Sequence, residues 1–316
     1  MILGLDIGGT KTALVLGEQS GAVRARRQFP TPLHLGPNAA VEQIASAARE
    51  FLAAEGAFPI EAAGVSIGGP LDSAAGVILG PPHLPGWNNV PLRAMLEERL
   101  GVAVFVEHDA RTGALAEWRF GAGRLPDGSS VSDLIFLTLG TGLGAGIISG
   151  GRLLHGRSTR TAEAGHWRVA ADGPEMFGKR GSWESYCSGA GIVALAAWRF
   201  PDRFGQIALP DLAALARGGD AGACSVFEES AHFLGYGIAL LCDVFVPDVV
   251  ALGALGVRLG DLLIPGAVET LHAEALPDVA VRCRVVPVAL GEQIGDVAAL
   301  CAALYRLEGW DERQVD

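Results

Sequence analysis

Twice in this chain an apolar run of strand length breaks at a cluster of glycines and resumes as a second apolar run. The first instance is Met1 to Asp6, the turn at Gly8 and Gly9, and Thr12 to Gly17. The second is Leu134 to Leu139, the turn Gly140 to Gly146, and Ile147 to Ser149. Glycines at strand ends let backbone approach backbone, or a ligand, closely. The two copies lie too far apart for a short-period solenoid. They predict two related domains, each offering one glycine hairpin to a shared cleft. Between and after them strands alternate with helices. Val41, Ile44, Ala48, Phe51 and Leu52 share one helical face from Asn38 to Ala54. Ala62 to Ile67 reads as a buried strand. Pro91 opens a short helix, and Val102 to Val106 is a strand leading to Asp109, which starts a helix through Phe120. Residues 188–247 read mostly as helix, Val249 to Leu252 and Val279 to Val288 as strands, and Asp296 to Leu307 as a closing helix. This alternation predicts an α/β fold with a largely parallel sheet in each half.

With 316 residues there is material for about two domains. The expected division is an N-terminal α/β domain over 1–110, with a closing helix over 295–312 packing back on it, and a larger α/β domain over 111–294. The formal charge of −11 argues against a nucleic-acid backbone binder. Cys187, Cys224, Cys242, Cys283 and Cys301 are five, widely spaced and without a CxxC pair. They read as small buried residues in a reducing compartment. No basic segment precedes a long apolar stretch, and Asp243, Pro247 and Asp248 interrupt the most apolar region, Phe233 to Val257. Neither a signal peptide nor a membrane span is expected, and the predicted location is cytoplasmic.

Five segments carry possible chemistry. Asp6-Ile7-Gly8-Gly9-Thr10-Lys11-Thr12 ends a strand on a carboxylate able to hold Mg²⁺, and exposes backbone amides and a hydroxyl to a phosphate; it reads equally as a tight β-hairpin. Leu139-Gly140-Thr141-Gly142-Leu143-Gly144-Ala145-Gly146 repeats that logic. No long helix follows it, as a dinucleotide fingerprint requires, and no Gly-Lys-Ser/Thr opens a helix, as a P-loop requires. Asp109, at a strand end, is by itself best read as a helix N-cap. Glu163-Ala164-Gly165-His166, with Glu184 downstream, lies in a polar stretch where such residues are usually solvated. Pro247 to Gly256 takes a strand into small residues, Gly253 and Ala254 among them, against which an adenine ring could lie flat.

Taken together and in order, these segments resemble the ROK family of sugar kinases and sugar-responsive regulators, within the actin-like ATPase superfamily, over essentially Met1 to Leu307. Gly68-Gly69-Pro70-Leu71-Asp72 and Leu84-Pro85-Gly86-Trp87-Asn88 match two further segments of that family. The resemblance implies two actin-like, ribonuclease H-like domains with a cleft between them. It implies ATP held by Gly8, Gly9, Thr10, Lys11, Gly140, Thr141, Gly142, Gly253 and Ala254, with Mg²⁺ at Asp6. It implies Asp109 as the base, and a sugar held by Gly69, His108, Asp109, Glu163, His166 and Glu184. The expected reaction is ATP-dependent phosphorylation of a hexose hydroxyl, the 6-OH of glucose or a close relative, by a cytoplasmic homodimer that binds no nucleic acid and no membrane.

Two departures from the family pattern stand out. The family's Cys-x-Cys-Gly-x-x-Gly-Cys-x-Glu stretch, whose cysteines bind a structural zinc with the His, reads here Glu175 to Glu184 with Glu175, Phe177 and Ser182 in the three cysteine positions. A Cys₃His site cannot be assembled, so no zinc is expected, and Phe177 and Trp183 are expected to fill the gap by apolar packing. His108 stands where the family has Asn, and His83 where Asn is common, which puts the sugar preference in question. The alternatives are a kinase for an N-acetylhexosamine or fructose, a sugar-binding protein without kinase activity, a kinase using polyphosphate, or a repressor. The last is not expected, since a repressor of this family would carry a helix-turn-helix ahead of the loop that begins here at Asp6.

Overall fold

The computed structural model describes residues 1–56, 58–156 and 162–310. The described chain divides into two compact units. Unit 1 holds the residues up to Phe120, the short stretch from Arg152, and those from Glu292 onward. Unit 2 holds Gly121–Gly151 and Ala162–Gly291.

Unit 1 is built on strands β1 (Ile2–Ile7), β2 (Lys11–Gly17), β3 (Val23–Pro30), β4 (Ala62–Ile67) and β8 (Ala103–His108), in the order β3-β2-β1-β4-β8. β1, β2 and β3 run antiparallel in succession; β1–β4 and β4–β8 are parallel. Helices α1 (Gly36–Ala54), α2 (Leu92–Leu100), α3 (Asp109–Phe120) and α12 (Ile294–Leu307) complete the unit, with a small sheet of β5 (Leu71–Asp72), β6 (Val77–Leu79) and β7 (Asn88–Val90) between β4 and α2. The register places the site. Ile7 pairs with Ile67, and Ile67 with His108. The three parallel strands therefore end side by side, and Gly8, Gly68 and Asp109 follow one another along the carboxyl edge of the sheet, where ligands of open α/β sheets bind.

A stripe of small residues explains how α12 sits. Gly4 and Gly64 are registered partners beneath α12: Gly4 faces Ala299 and Leu300, and Gly64 faces Ala299, Ala302 and Ala303. A Cβ at Gly64 would drive into the Ala299 carbonyl oxygen and lie 2.8 Å from the Ala303 nitrogen, both backbone atoms that cannot swing away. Gly64→Ala is expected to destabilise the protein by about 1–3 kcal/mol, read as a fall in the urea midpoint. It should also lower activity, because the first turn of α12 lies beside Asp6. An unchanged midpoint would show that α12 slides freely.

Unit 2 repeats the plan with β9 (Leu134–Leu139), β10 (Leu143–Ser149), β14 (Val249–Leu252) and β15 (Arg284–Pro287), in the order β10-β9-β14-β15. β9 and β10 form an antiparallel hairpin, and β14 is parallel to both of its neighbours. Strand β11 (Arg152–Leu153), next in the chain, belongs to unit 1. The remaining elements are β12 (Glu175–Met176), β13 (Lys179–Arg180), α4 (Trp183–Cys187), α5 (Gly189–Arg199), α6 (Pro201–Phe204), α7 (Leu209–Arg217), α8 (Ala221–Phe245), α9 (Ala254–Arg258), α10 (Gly260–Glu274) and α11 (Pro277–Ala280). The core of unit 2 gathers Trp183, Ile192, Phe227, Leu234, Ile238 and Leu263.

The apolar run Val279 to Val288, read as one strand, is instead the end of α11, a break, and the four residues of β15. Pro277 opens the helical turn, and Val281 is exposed. No described helix is long and apolar enough to cross a membrane. All five cysteines are free, and four of them are buried.

Candidate functional site

In unit 1 the residues after β1, β4 and β8 converge. Gly8 N–H donates to the Lys11 carbonyl at 3.0 Å and closes the first glycine turn, while Thr31 Oγ1 ties its base by donating to the Gly8 carbonyl at 2.6 Å. Thr10 and Lys11 are exposed, and neither side chain bonds a described residue. Gly9 has to be glycine, because a Cβ would lie 2.5 Å from the His83 carbonyl oxygen. The His83 ring lies over Gly68 and the His108 ring over Gly69. Side chains at those two positions would meet imidazole atoms at 2.5 and 2.7 Å.

Asp109 is the first residue of α3 and its side chain is 47% exposed. Its Oδ1 accepts from the Ala110 N–H at 2.7 Å and lies 3.0 Å from His108 Nδ1. The Ala110 amide is also 3.1 Å from His108 Nδ1. A proton on Nδ1 resolves this triangle: imidazole and amide then both donate to Oδ1. This is not an N-cap, which would bond the amide of the second or third helical residue. Oδ2 has no partner among the described residues and is available to a ligand. Burial alone would raise the Asp109 carboxyl, but the charge and hydrogen bond of His108, together with the Ala110 amide, outweigh it and hold the group below the usual carboxylate range. Burial likewise opposes charge on His108, and Asp109 outweighs it, so the imidazole is held above its ordinary value. His83 is held below its own, by burial and by His108 against the pull of Asp109.

Asp6, the last but one residue of β1, is pushed up to about 7. Burial is the main cause, followed by the nearby carboxylates Asp109 and Asp296. Asp296, in the first turn of α12, is itself held by both oxygens to Arg26 Nε at 2.9 and 2.8 Å. A crowded, half-desolvated carboxylate of this kind suits a hard divalent cation, whose charge would offset the repulsion.

Behind Asp109 lies a buried network that sequence reading missed. Glu107 Oε1 accepts from the His108 backbone N–H at 2.7 Å and faces Arg111 Nη1 at 3.0 Å, and its Oε2 lies 3.2 Å from His155 Nε2. Arg111 is fully buried and reaches toward Ser73. Glu107 fixes the peptide directly ahead of His108, one residue before Asp109. Glu107 lies in β8 and Arg111 in the first turn of α3, so no sequence periodicity joins them.

In unit 2, Gly140 N–H donates to the Thr138 and Gly142 carbonyls at 3.0 and 3.1 Å, forming the second glycine turn. The Gly140 carbonyl accepts from Gly189 N at 2.8 Å, and the Thr141 hydroxyl is exposed without a described partner. Gly253 N donates to the Leu137 carbonyl at 2.8 Å and delivers the chain into α9, of which Ala254 is the first residue. Glu184, on α4 and 9% exposed, accepts from Leu143 N through Oε2 at 2.6 Å. Its Oε1 is buried and unpartnered. Burial raises the carboxyl, against the Leu143 amide and the His166 charge. An acceptor that is desolvated and unmet costs stability until a donor arrives, and a sugar hydroxyl is such a donor. Glu163 precedes a short 3₁₀ turn (Ala164–His166) and His166 ends it. Both side chains are exposed, and neither hydrogen-bonds a described residue.

The three positions discussed for zinc are otherwise used. Glu175 lies in β12, Ser182 Oγ caps α4 by accepting from Ser185 N at 3.3 Å, and Phe177 is at a turn. No thiolate is present, so these residues do not fit zinc. Trp183 does fill space. It is fully buried, stacks on Trp167 at 5.9 Å and donates to the Phe233 carbonyl at 2.8 Å. The expectation that Phe177 packs inward is overturned: the ring is 65% exposed.

Comparison with known proteins sets this geometry in context. The model of the ROK family matches residues 2–304. A glucokinase of Thermotoga maritima is 30% identical, over 98% of this chain and 98% of its own. An N-acetylmannosamine kinase of Escherichia fergusonii is 31% identical, over 86% and 88%. The crystal structure of a ROK family glucokinase from Streptomyces griseus in complex with glucose and AMPPNP superimposes with a TM-score of 0.76 at 32% identity, over 95% of this chain and 97% of that one.

Proposed function

This chain belongs to the ROK family, and from that premise and the site above we propose that it is a glucokinase-like sugar kinase that moves the terminal phosphoryl group of ATP to the 6-OH of glucose. The fold is the two-domain actin-like ATPase fold. The observation that carries the reading is Asp109: a carboxylate at the carboxyl ends of three parallel strands, with one oxygen fixed by His108 and Ala110 and the other without a described partner. Asp109 Oδ2 receives the proton of the attacking hydroxyl. His108, by holding Oδ1, fixes the direction in which Oδ2 faces and keeps the group ionised at neutral pH. Glu163, His166 and Glu184 pair with sugar hydroxyls, and the unmet Glu184 Oε1 supports that assignment. Gly69 admits the His108 ring, which a Cβ at that position would meet at 2.7 Å. The amides of Gly8, Gly9, Gly140 and Gly142, with Thr10, Thr141 and Lys11, receive phosphates, and Gly253 with Ala254 lies against the base. Asp6 is the residue suited to Mg²⁺, which when bound offsets charge on the phosphates. Phosphoryl transfer depends chiefly on such positioning and charge, so this set suffices. The homodimer rests on resemblance to the family.

The test is ADP release over a panel of sugars. Glucose is expected to give the highest kcat/KM, above N-acetylmannosamine, N-acetylglucosamine and fructose, with ATP preferred to polyphosphate. Measurable glucose binding with no ADP release from any sugar would leave a sugar-binding protein instead. An N-acetylhexosamine ahead of glucose would transfer the reading to the amino-sugar kinases, in line with the Escherichia fergusonii relative.

A further inference from the structure

Strands β12 and β13 pair Glu175 with Arg180 and Met176 with Lys179, leaving Phe177 and Gly178 as a two-residue turn. Both turn residues have positive φ, +52° at Phe177 and +69° at Gly178, the signature of a type I′ hairpin. The second position has the glycine this turn favours. The first has a phenylalanine where asparagine, aspartate or glycine is preferred, and left-handed backbone strains a bulky side chain. Burial does not explain the choice, because the ring is 65% exposed. A strained, solvent-facing aromatic calls for another reason, and backbone outliers of this kind gather at ligand sites.

The ring's aromatic neighbour is His166, with centroids 5.7 Å apart and planes at 46°. The same hairpin grips His166 a second time, since the Lys179 ammonium donates to the His166 carbonyl oxygen. The hairpin is itself fastened. Arg168 Nη1 donates to the Arg180 carbonyl at 2.7 Å, Arg180 pairs with Asp172 at 3.3 Å, and Tyr186 Oη donates to the Asp172 carbonyl at 2.8 Å. The His166 imidazole is exposed, and neither of its ring nitrogens bonds a described residue. Both nitrogens are left for a ligand, and the tilted Phe177 ring is the aromatic group beside the imidazole.

We propose that Phe177 is a positioning residue that sets the orientation of the His166 imidazole toward a hexose hydroxyl. The inference rests on the reading above that His166 meets the sugar. An exposed imidazole loses rotamer freedom when it binds a hydroxyl, and a ring already held by an aromatic face loses less. The hairpin thus presents a pre-oriented donor and acceptor without a metal on the imidazole. Phe177 belongs to sugar affinity and not to the transfer step, so its signature is a change in sugar KM with kcat preserved.

The experiment compares wild type, Phe177→Asn, Phe177→Tyr, His166→Ala and the Phe177→Asn/His166→Ala double variant by steady-state kinetics with glucose and ATP, alongside thermal unfolding. Asn-Gly is a preferred type I′ pair, so Phe177→Asn should unfold at or above the wild-type temperature. Its glucose KM is expected to rise about 3- to 10-fold, the scale of an aromatic pair interaction, with kcat and ATP KM within about 2-fold of wild type. Phe177→Tyr should keep the wild-type glucose KM. The double variant should be no worse than His166→Ala alone, because a ring that is absent cannot be oriented. If His166→Ala weakens glucose but Phe177→Asn does not, or if Phe177→Asn and Phe177→Tyr raise KM equally, the positioning role is wrong and the assignment of His166 stands. If His166→Ala keeps the wild-type glucose KM, the assignment of His166 is wrong and the positioning role falls with it.

Discussion

Asp109→Asn is expected to lower kcat by about 10²- to 10⁴-fold while leaving the dissociation constant for glucose within a few-fold of wild type. The substitution keeps the shape of the side chain. Its amide can still occupy the place of the carboxylate beside Ala110 and His108, so the backbone at the start of α3 should hold. What it removes is the acceptor for the hydroxyl proton at the position of Oδ2, the oxygen that no described residue bonds. Turnover with saturating ATP and glucose measures kcat, and titration calorimetry without nucleotide measures glucose binding. A variant with near-normal kcat would exclude the role of base. Loss of glucose binding in step with activity would instead make Asp109 chiefly a sugar ligand.

How much of this was readable beforehand follows from where the information lies along the chain. β1, β4 and β9 are continuous apolar runs bounded by glycines, and such runs are legible because both faces of their sheets are covered. The glycine turns were legible for the same reason. β3 was not, because Val23–Pro30 carries three arginines and lies at the sheet edge with one side toward water, so its composition resembles a loop. The strand expected over Val279 to Val288 failed because apolar composition alone does not distinguish a short helix from a strand, and Pro277 decides it.

The candidate site shows the same division. Asp6, Gly8, Gly68, His108 and Asp109 are strand-end residues, and once three strands are taken as parallel neighbours their ends must converge. The Glu107–Arg111–His155 network was invisible because it joins residues 107 and 155 through folding alone, and because a fully buried arginine contradicts the usual reading of a charged side chain as solvated. The exposed Phe177 ring was misread because a large aromatic is ordinarily assigned to the interior. Only the backbone angles reveal that the chain turns there.

Asp6→Asn is expected to make the metal-free protein more stable and the enzyme nearly inactive. In the fold, burial and the carboxylates of Asp109 and Asp296 push the Asp6 carboxyl up to about 7, from an ordinary value of 3.8. The folded form therefore holds a proton more tightly than the unfolded chain. Stability falls as pH rises from about 4 to about 7, and the full cost of the ionised group is present above 7. Asparagine carries no charge and escapes that cost, of order 2–4 kcal/mol at pH 8. Thermal unfolding in a chelator should show the variant several degrees above wild type at pH 8, with the gap shrinking by pH 5 as wild-type Asp6 takes up its proton. With Mg²⁺ and ATP the ranking should change. Wild type should gain stability in proportion to its saturation and the variant should gain little, because the carboxylate suited to the cation is gone. Turnover should fall by at least about 10²-fold, as expected when charge on a transferring phosphoryl group is no longer offset. Such a trade of stability for function is common where like charges are gathered for chemistry. Equal stability of the two proteins at pH 8 would show that Asp6 is not a strained charge, and full activity in the variant would show that the cation is held elsewhere.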